Sequence, residues 1–296
     1  MPGLARWVAV AALVPSLTAV AAVPAVPSRP APGLSAAQIV AKNVAARGGL
    51  EAWRNVSTMV WVGRMLSTHA PAPSMQFVLE QERPNKTHFE INAMGERSLR
   101  VFDGAHGWKL RPSRDSKPEV QPYTIQELKF AQEAQGIDGP LIDYEAKGNV
   151  VALEGIDDVE GRKAFRLSVR LASGESRHVW IDVETFLDVK YDRMSYGPGG
   201  VSGIVSVFHR DFRTVDGLQM PFVIETGVGS GKQADKMVIE KITINAPLDD
   251  RVFARPGPRS PMPKARETEH ASRIFPGPGM PPVAPGPAPE PAPLSR

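Results

Sequence analysis

Six histidines and 32 carboxylates give the chain material for acid–base or metal chemistry, so each cluster is weighed by spacing. His209-Arg210-Asp211 places His209 and Asp211 on one face of an expected strand. Two ligands on one strand fall short of the three or four protein ligands that zinc takes. His178 and Asp182 share a second strand face, and Asp182-Val183-Glu184-Thr185 reads as the turn of a hairpin. The chain has no cysteine. That removes disulfides, thiolate nucleophiles, cysteine-ligated metal centres and lipid anchoring through an N-terminal cysteine. No Gly-x-Ser-x-Gly string is present to build a nucleophile elbow. Gly227-Val228-Gly229-Ser230-Gly231-Lys232 has the composition of a phosphate loop. Its spacing is wrong, Gln233 stands where Ser or Thr belongs, and no helix follows, so it reads as a hairpin loop. The chemistry of catalysis lacks convergence: no catalytic residue, metal ligand or cofactor is expected.

The elements that carry these residues are mostly strands. Met59, Trp61 and Met65 alternate, as do Met75, Phe77 and Leu79, then Phe89 and Ile91, then Leu99 and Val101, then Trp108 and Leu110. Phe165 to Leu171, Leu187 to Tyr191, Leu218 to Ile224 and Val238 to Ile244 repeat the pattern. Glu160-Gly161, Ser173-Gly174 and Asp216-Gly217 punctuate them. About eleven or twelve consecutive, one-face-apolar strands predict a single strongly curved antiparallel sheet. The fold class is therefore mainly β, an unclosed barrel with short helices.

Two helices interrupt it. Ser35 and Gln38 form a capping box, with Leu34 and Ile39 at the staple positions. Ile39, Val40 and Val44 make a stripe, and Gly48-Gly49 ends it. A second helix is expected from Thr124 to about Gln135, ended by Gly136. Two short helices offer little to fill so much apolar sheet, which points to a cavity for an apolar ligand. Met65, Met75, Met220 and Trp61 suit either a core or the soft wall of such a cavity.

The ends differ from the middle. Trp7 to Val23 is apolar apart from Pro15, Ser16 and Thr18, follows Arg6, and ends in small residues. Residues 1–33 are expected to be a signal peptide and short linker, cleaved near Ala21 or Ala22. A membrane anchor is the alternative, for which the run is short. Of 29 prolines, 13 fall in residues 256–296, predicting an extended, disordered tail. Charge follows the same division. Residues 1–33 hold two arginines and no acid, and residues 256–296 hold five basic and three acidic side chains. Of the net +3, residues 34–255 therefore carry −1, which is poor bait for a nucleic-acid backbone.

Within residues 34–255, local strings occur in a telling order. Arg83-Pro84-Asn85-Lys86 follows a strand, then comes Phe102-Asp103-Gly104-Ala105-His106-Gly107-Trp108, then Arg111-Pro112, then a helical insert with Gly139-Pro140-Leu141. Later come Phe212-Arg213-Thr214-Val215-Asp216-Gly217-Leu218-Gln219-Met220-Pro221 and Asn245-Ala246-Pro247-Leu248-Asp249. This order resembles the outer-membrane lipoprotein-sorting (LolA/LolB-like) family, the later strings its longer members. The resemblance implies an unclosed antiparallel barrel with helices as a lid over a hydrophobic cavity. It implies a periplasmic carrier or binding protein, not an enzyme, for lipid or lipoprotein acyl chains. Partners would be an inner-membrane donor complex and an outer-membrane acceptor, and the chain would be a monomer. Without cysteine it looks like a soluble carrier and departs from the anchored receptors.

Arg83 maps onto the family arginine that bonds the lid and gates the cavity. A solvent-exposed strand-end arginine is the other reading. Asp103 and Trp108 map onto a structural pair. The ligand-lining candidates are Trp61, Met65, Met75, Phe77, Leu79, Phe89, Ile91, Trp108, Phe165, Leu167, Met220 and Phe222, with Arg83 at the gate. A scaffold or envelope sensor on the same fold is the competing function, and a hydrolase a more distant one.

Overall fold

The computed structural model describes residues 33–67, 73–111, 119–133, 136–196, 202–228 and 235–257. Almost all of the expected signal peptide and linker, almost all of the proline-rich tail and most of the Gly227–Lys232 loop lie outside them. Among the described residues no helix is long and apolar enough to cross a membrane.

Helix α1 spans Ala36–Ala46, capped by Ser35. The Ser35 hydroxyl accepts the Gln38 N–H at 3.2 Å, and the Gln38 side chain accepts the Ser35 N–H at 2.8 Å, closing the expected box. Leu34 packs with buried Ile39 and Val40, as the staple requires. Gly48 ends the helix at φ +114, where its missing side chain lets the Gly217 carbonyl come close; a Cβ would sit 2.5 Å from that oxygen. Helix α2, Leu50–Arg54, follows at once and is not anticipated by the sequence.

Thirteen strands then form one antiparallel sheet. Strands β1 (Thr58–Ser67), β2 (Ser74–Glu82), β3 (Lys86–Ala93), β4 (Glu96–Phe102), β5 (Gly107–Arg111) and β6 (Glu119–Pro122) make a first meander. Strands β7 (Val150–Val159), β8 (Arg162–Arg170), β9 (Ser176–Asp182), β10 (Asp188–Tyr196), β11 (Ser202–Val215), β12 (Leu218–Val228) and β13 (Asp235–Ile244) make a second. The order runs β6 to β1, then β13 back to β7, so the first and last strands join the halves. The sheet is not closed: its edges are β6 and β7. These are consecutive in sequence, and the chain between them must travel from one edge to the other. That chain holds helix α3 (Ile125–Glu133) and the 3-10 turn Gly136–Asp138.

Register fixes which side chains share the inner face, the one the helices cover. Trp61 pairs with Leu79 and Ile242, Leu79 with Phe89, Met65 with Met75 and Met237, and Met237 with Ile224. These residues form one buried cluster with Trp53 and Val56 of the α2 segment and Ile137 and Ile142 of the crossing segment. Burying each such side chain contributes roughly 1.5–3 kcal/mol. A second cluster joins Ile39 and Val40 of α1 to Leu141, Leu167, Val169 and Ile181.

Candidate functional site

The crossing segment is held by a buried acid. Asp138, only 3% exposed, ends the 3-10 turn and faces two cations. Its carboxylate lies 2.8 Å from Arg83 Nη2 and 2.6 Å from Lys147 Nζ. Arg83 leaves β2 at the turn to β3 and also donates to the carbonyls of Val56 at 2.6 Å and Trp53 at 2.8 Å. One guanidinium thus ties the sheet, the end of α2 and the crossing segment together. Arg47, at the end of α1, donates to the Asp138 carbonyl at 3.2 Å and approaches Asp188 at 3.4 Å. Burial lowers the Lys147 amine, and Asp138 works against that shift. Burial alone would raise Asp188; Arg47 and His209 hold it well below the usual carboxylate range.

Helix α3 has its own anchor. Thr124 caps it: its hydroxyl accepts the Glu127 N–H, and Glu127 accepts the Thr124 N–H at 2.8 Å. The same Glu127 carboxylate takes Arg100 at 2.8 Å and Lys109 at 2.7 Å. Arg100 pairs with Phe89 and Lys109 with Arg100, so both cations stand on the inner face. Burial pushes the Glu127 carboxyl up, but bonds from Lys109, the Thr124 N–H and Arg100 outweigh it and hold it at about 2. Between α3 and strands β9 and β10 lies a cleft of about 240 Å³, lined by Ile125, Phe130, Glu133, Arg177 and Arg193 among others.

Of the lining candidates, Trp61, Met65, Met75, Phe77, Leu79, Phe89, Met220 and Phe222 fall within the first cluster, with Ile91 packed against it. Leu167 and Phe165 belong to the second. Trp108 stands apart: it pairs with Val101, one residue out of phase with Arg100 and Lys109, and so points to the opposite face. There it lies 6.0 Å from His106. Asp103 builds the adjoining turn, accepting the N–H groups of Ala105 and His106.

The titratable clusters go to structural partners. His209 Nδ1 lies 2.9 Å from the Asp188 carbonyl, while Asp211 pairs with Arg213. His178 meets Asp192 at 2.9 Å; Asp182 pairs with Arg162 and shapes its turn by accepting the Glu184 and Thr185 N–H groups. Among the described residues no group of three or more acids and histidines is placed to hold a metal.

Sequence reasoning found Arg83 but missed Asp138, Arg177 and Arg193. Asp138 sits in Gly136-Ile137-Asp138-Gly139, which reads as a turn, and nothing local marks its burial.

No protein-family model matches this chain, and no curated protein does. Solved structures are similar to it at low identity. An outer membrane lipoprotein-sorting protein domain from Vibrio parahaemolyticus is 11% identical, covers 73% of this chain and 94% of its own, with a TM-score of 0.47. A DUF1329 family protein from Desulfovibrio piger is 12% identical, covering 74% and 97% at 0.47. A LolA superfamily protein from Nitrosomonas europaea is 11% identical, covering 75% and 98% at 0.46.

Proposed function

We propose that residues 34–255 form an exported, non-enzymatic carrier that binds a lipidic cargo between the inner sheet face and its covering helices. The observation that carries this reading is the Arg83–Asp138 pair. A thirteen-stranded sheet with a largely apolar inner face is covered by a crossing segment that polar contacts hold down at Arg83, Asp138 and Glu127. A cover held by a few polar bonds on an apolar bed can part and close without unfolding either. Acyl chains need such shelter in water, since each buried CH₂ contributes about 0.8 kcal/mol. The methionines Met59, Met65, Met75, Met220 and Met237 give the bed an adaptable surface.

Export follows from the apolar leader, and cleavage near Ala21 or Ala22 puts the chain in the periplasm. N-terminal sequencing of protein from the cell envelope should begin there; an intact Met1 would argue for an anchor. Cargo handover from an inner-membrane donor to an outer-membrane acceptor belongs to the same reading.

Lipid mass spectrometry of the protein purified without detergent is the test. A stoichiometric lipid supports the carrier. A well-folded protein that is empty and refuses added fatty acid supports a scaffold or sensor, a role favoured by the dense packing of the inner-face cluster.

A further inference from the structure

Besides Arg100 and Lys109, which Glu127 pairs, two arginines enter the otherwise apolar inner face from neighbouring strands. Register places Arg177 opposite Val169, and Arg193 opposite Val205, so both guanidinium groups rise on the covered side. Arg193 is 7% exposed, yet its Nε and Nη1 have no hydrogen-bond partner. Its guanidinium carbon lies 5.4 Å from the centre of the Phe130 ring on α3. Arg177 beside it is half-buried.

The surrounding charges do not satisfy the pair. Lys129 of α3 is taken by Glu175 at 2.8 Å. Glu133, the other acid lining the cleft, stands 3.7 Å from Lys129 through its Oε1, which is buried without a hydrogen bond. Asp192 engages His178. The Tyr191 phenol adjoins Arg193 as a neutral partner. Burial pushes both guanidinium groups below their usual range. Structural arginines in cores normally have their N–H groups paired, because a buried unpaired charge is costly.

We propose that the cleft between α3 and strands β9 and β10 receives the acidic headgroup of a single-chain amphiphile, with Arg193 and Arg177 as its anion receptors. The planar donors of a guanidinium match the paired oxygens of a carboxylate or phosphate. The cleft, about 240 Å³, is smaller than pockets for whole drug-sized ligands, and so suits a headgroup and its first carbons against Phe130. The chain beyond rests on the lipid-binding reading above; the anion receptor is an additional element.

The experiment titrates the full protein with cis-parinaric acid and, separately, with its uncharged methyl ester. The wild type should prefer the acid by ~10-fold or more, the scale of charge-assisted hydrogen bonds. R193Q should weaken the acid by a similar factor and leave the ester unchanged, R193K should recover part of the loss, and K163Q, at an exposed position of β8, should change neither. If R193Q melts early, R177Q at its half-buried position must show the same acid-selective loss. Equal binding of acid and ester to the wild type overturns the headgroup site and leaves the lipid reading standing. Binding of neither overturns both.

Discussion

Arg83 and Asp138 meet at 2.8 Å across the covered face, joining the end of the second strand to the segment that links the two sheet edges. Lys147 reaches the other oxygen of the same carboxylate at 2.6 Å. A bed of apolar strands and a cover that crosses it are thereby fastened at a point outside the apolar cluster. The fastening can open without exposing the hydrogen bonds of the sheet.

Arg83→Leu should therefore act on the cover and spare the sheet. It strips two carbonyls and Asp138 of a donor, a loss on the order of 1–3 kcal/mol in the closed state. Stopped-flow release of a bound fluorescent fatty acid should be faster than in the wild type, with the far-ultraviolet spectrum unchanged. Release at the wild-type rate would leave Arg83 a purely structural residue.

Glu127 gives the cover a pH dependence. Its folded pKa of about 2 lies below the ordinary 4.5, so its contribution is fully present above about 4.5 and is lost as pH falls toward 2. Hydrogen exchange along Ile125–Glu133 should accelerate in that window before the central strands open. Glu127→Gln should show the fast exchange already at neutral pH and lose on the order of 1–3 kcal/mol. Exchange in α3 that ignores pH would show that another contact holds the helix.

Gly63 should tolerate no side chain. It sits where the β1–β13 register shifts, and a Cβ there would lie 2.2 Å from the Val238 carbonyl and 2.9 Å from Ile239 Cα. That pairing joins the two halves of the sheet. Gly63→Ala should cost on the order of 1–3 kcal/mol by overpacking, read as a lowered melting temperature. An unchanged melt would mean that the two meanders are stable without this seam.

A chain ending at Gly257 should melt like the whole protein, because the composition beyond it cannot bury enough apolar area to offset chain entropy. The cut belongs after Gly257: Phe253 is 2% exposed, and Phe253→Ala should cost ~3–5 kcal/mol. A fall of many degrees in the truncated chain would show that the tail packs on the sheet.

These expectations divide by how locally their cause is written. The capping box at Ser35 and the apolar alternation of the inner strands are local, and the structure has both. The alternation passes over four strands: β9 and β11, which the sequence marks only through the spacing of His178 with Asp182 and His209 with Asp211, and the edges β6 and β7, whose side chains are largely exposed and so need no apolar face. Helix α2 was hidden because Gly49 caps it with no side-chain bond. Arg83 is recognisable from its string, but its partner is not. Asp138, Arg177 and Arg193 acquire meaning only when register and the crossing segment bring distant parts of the chain together. Trp108 illustrates the converse: an aromatic in an alternating strand whose phase, set by pairing with Val101, turns it away from the cover.

The central claim, an acyl chain lying on the inner face, has a direct optical test. Trp61 stands in the inner cluster, whereas Trp108 and Trp180 stand on the other face, Trp180 in a separate small cluster with Val159 and Ala164. In a W108F/W180F background, a spin-labelled stearic acid should quench the remaining tryptophan fluorescence at saturation, and adding W61F should lower that quenching to the share that Trp53 of the same cluster contributes. Absence of quenching, or quenching that is the same with and without Trp61, would contradict a cargo bound between the sheet and its cover.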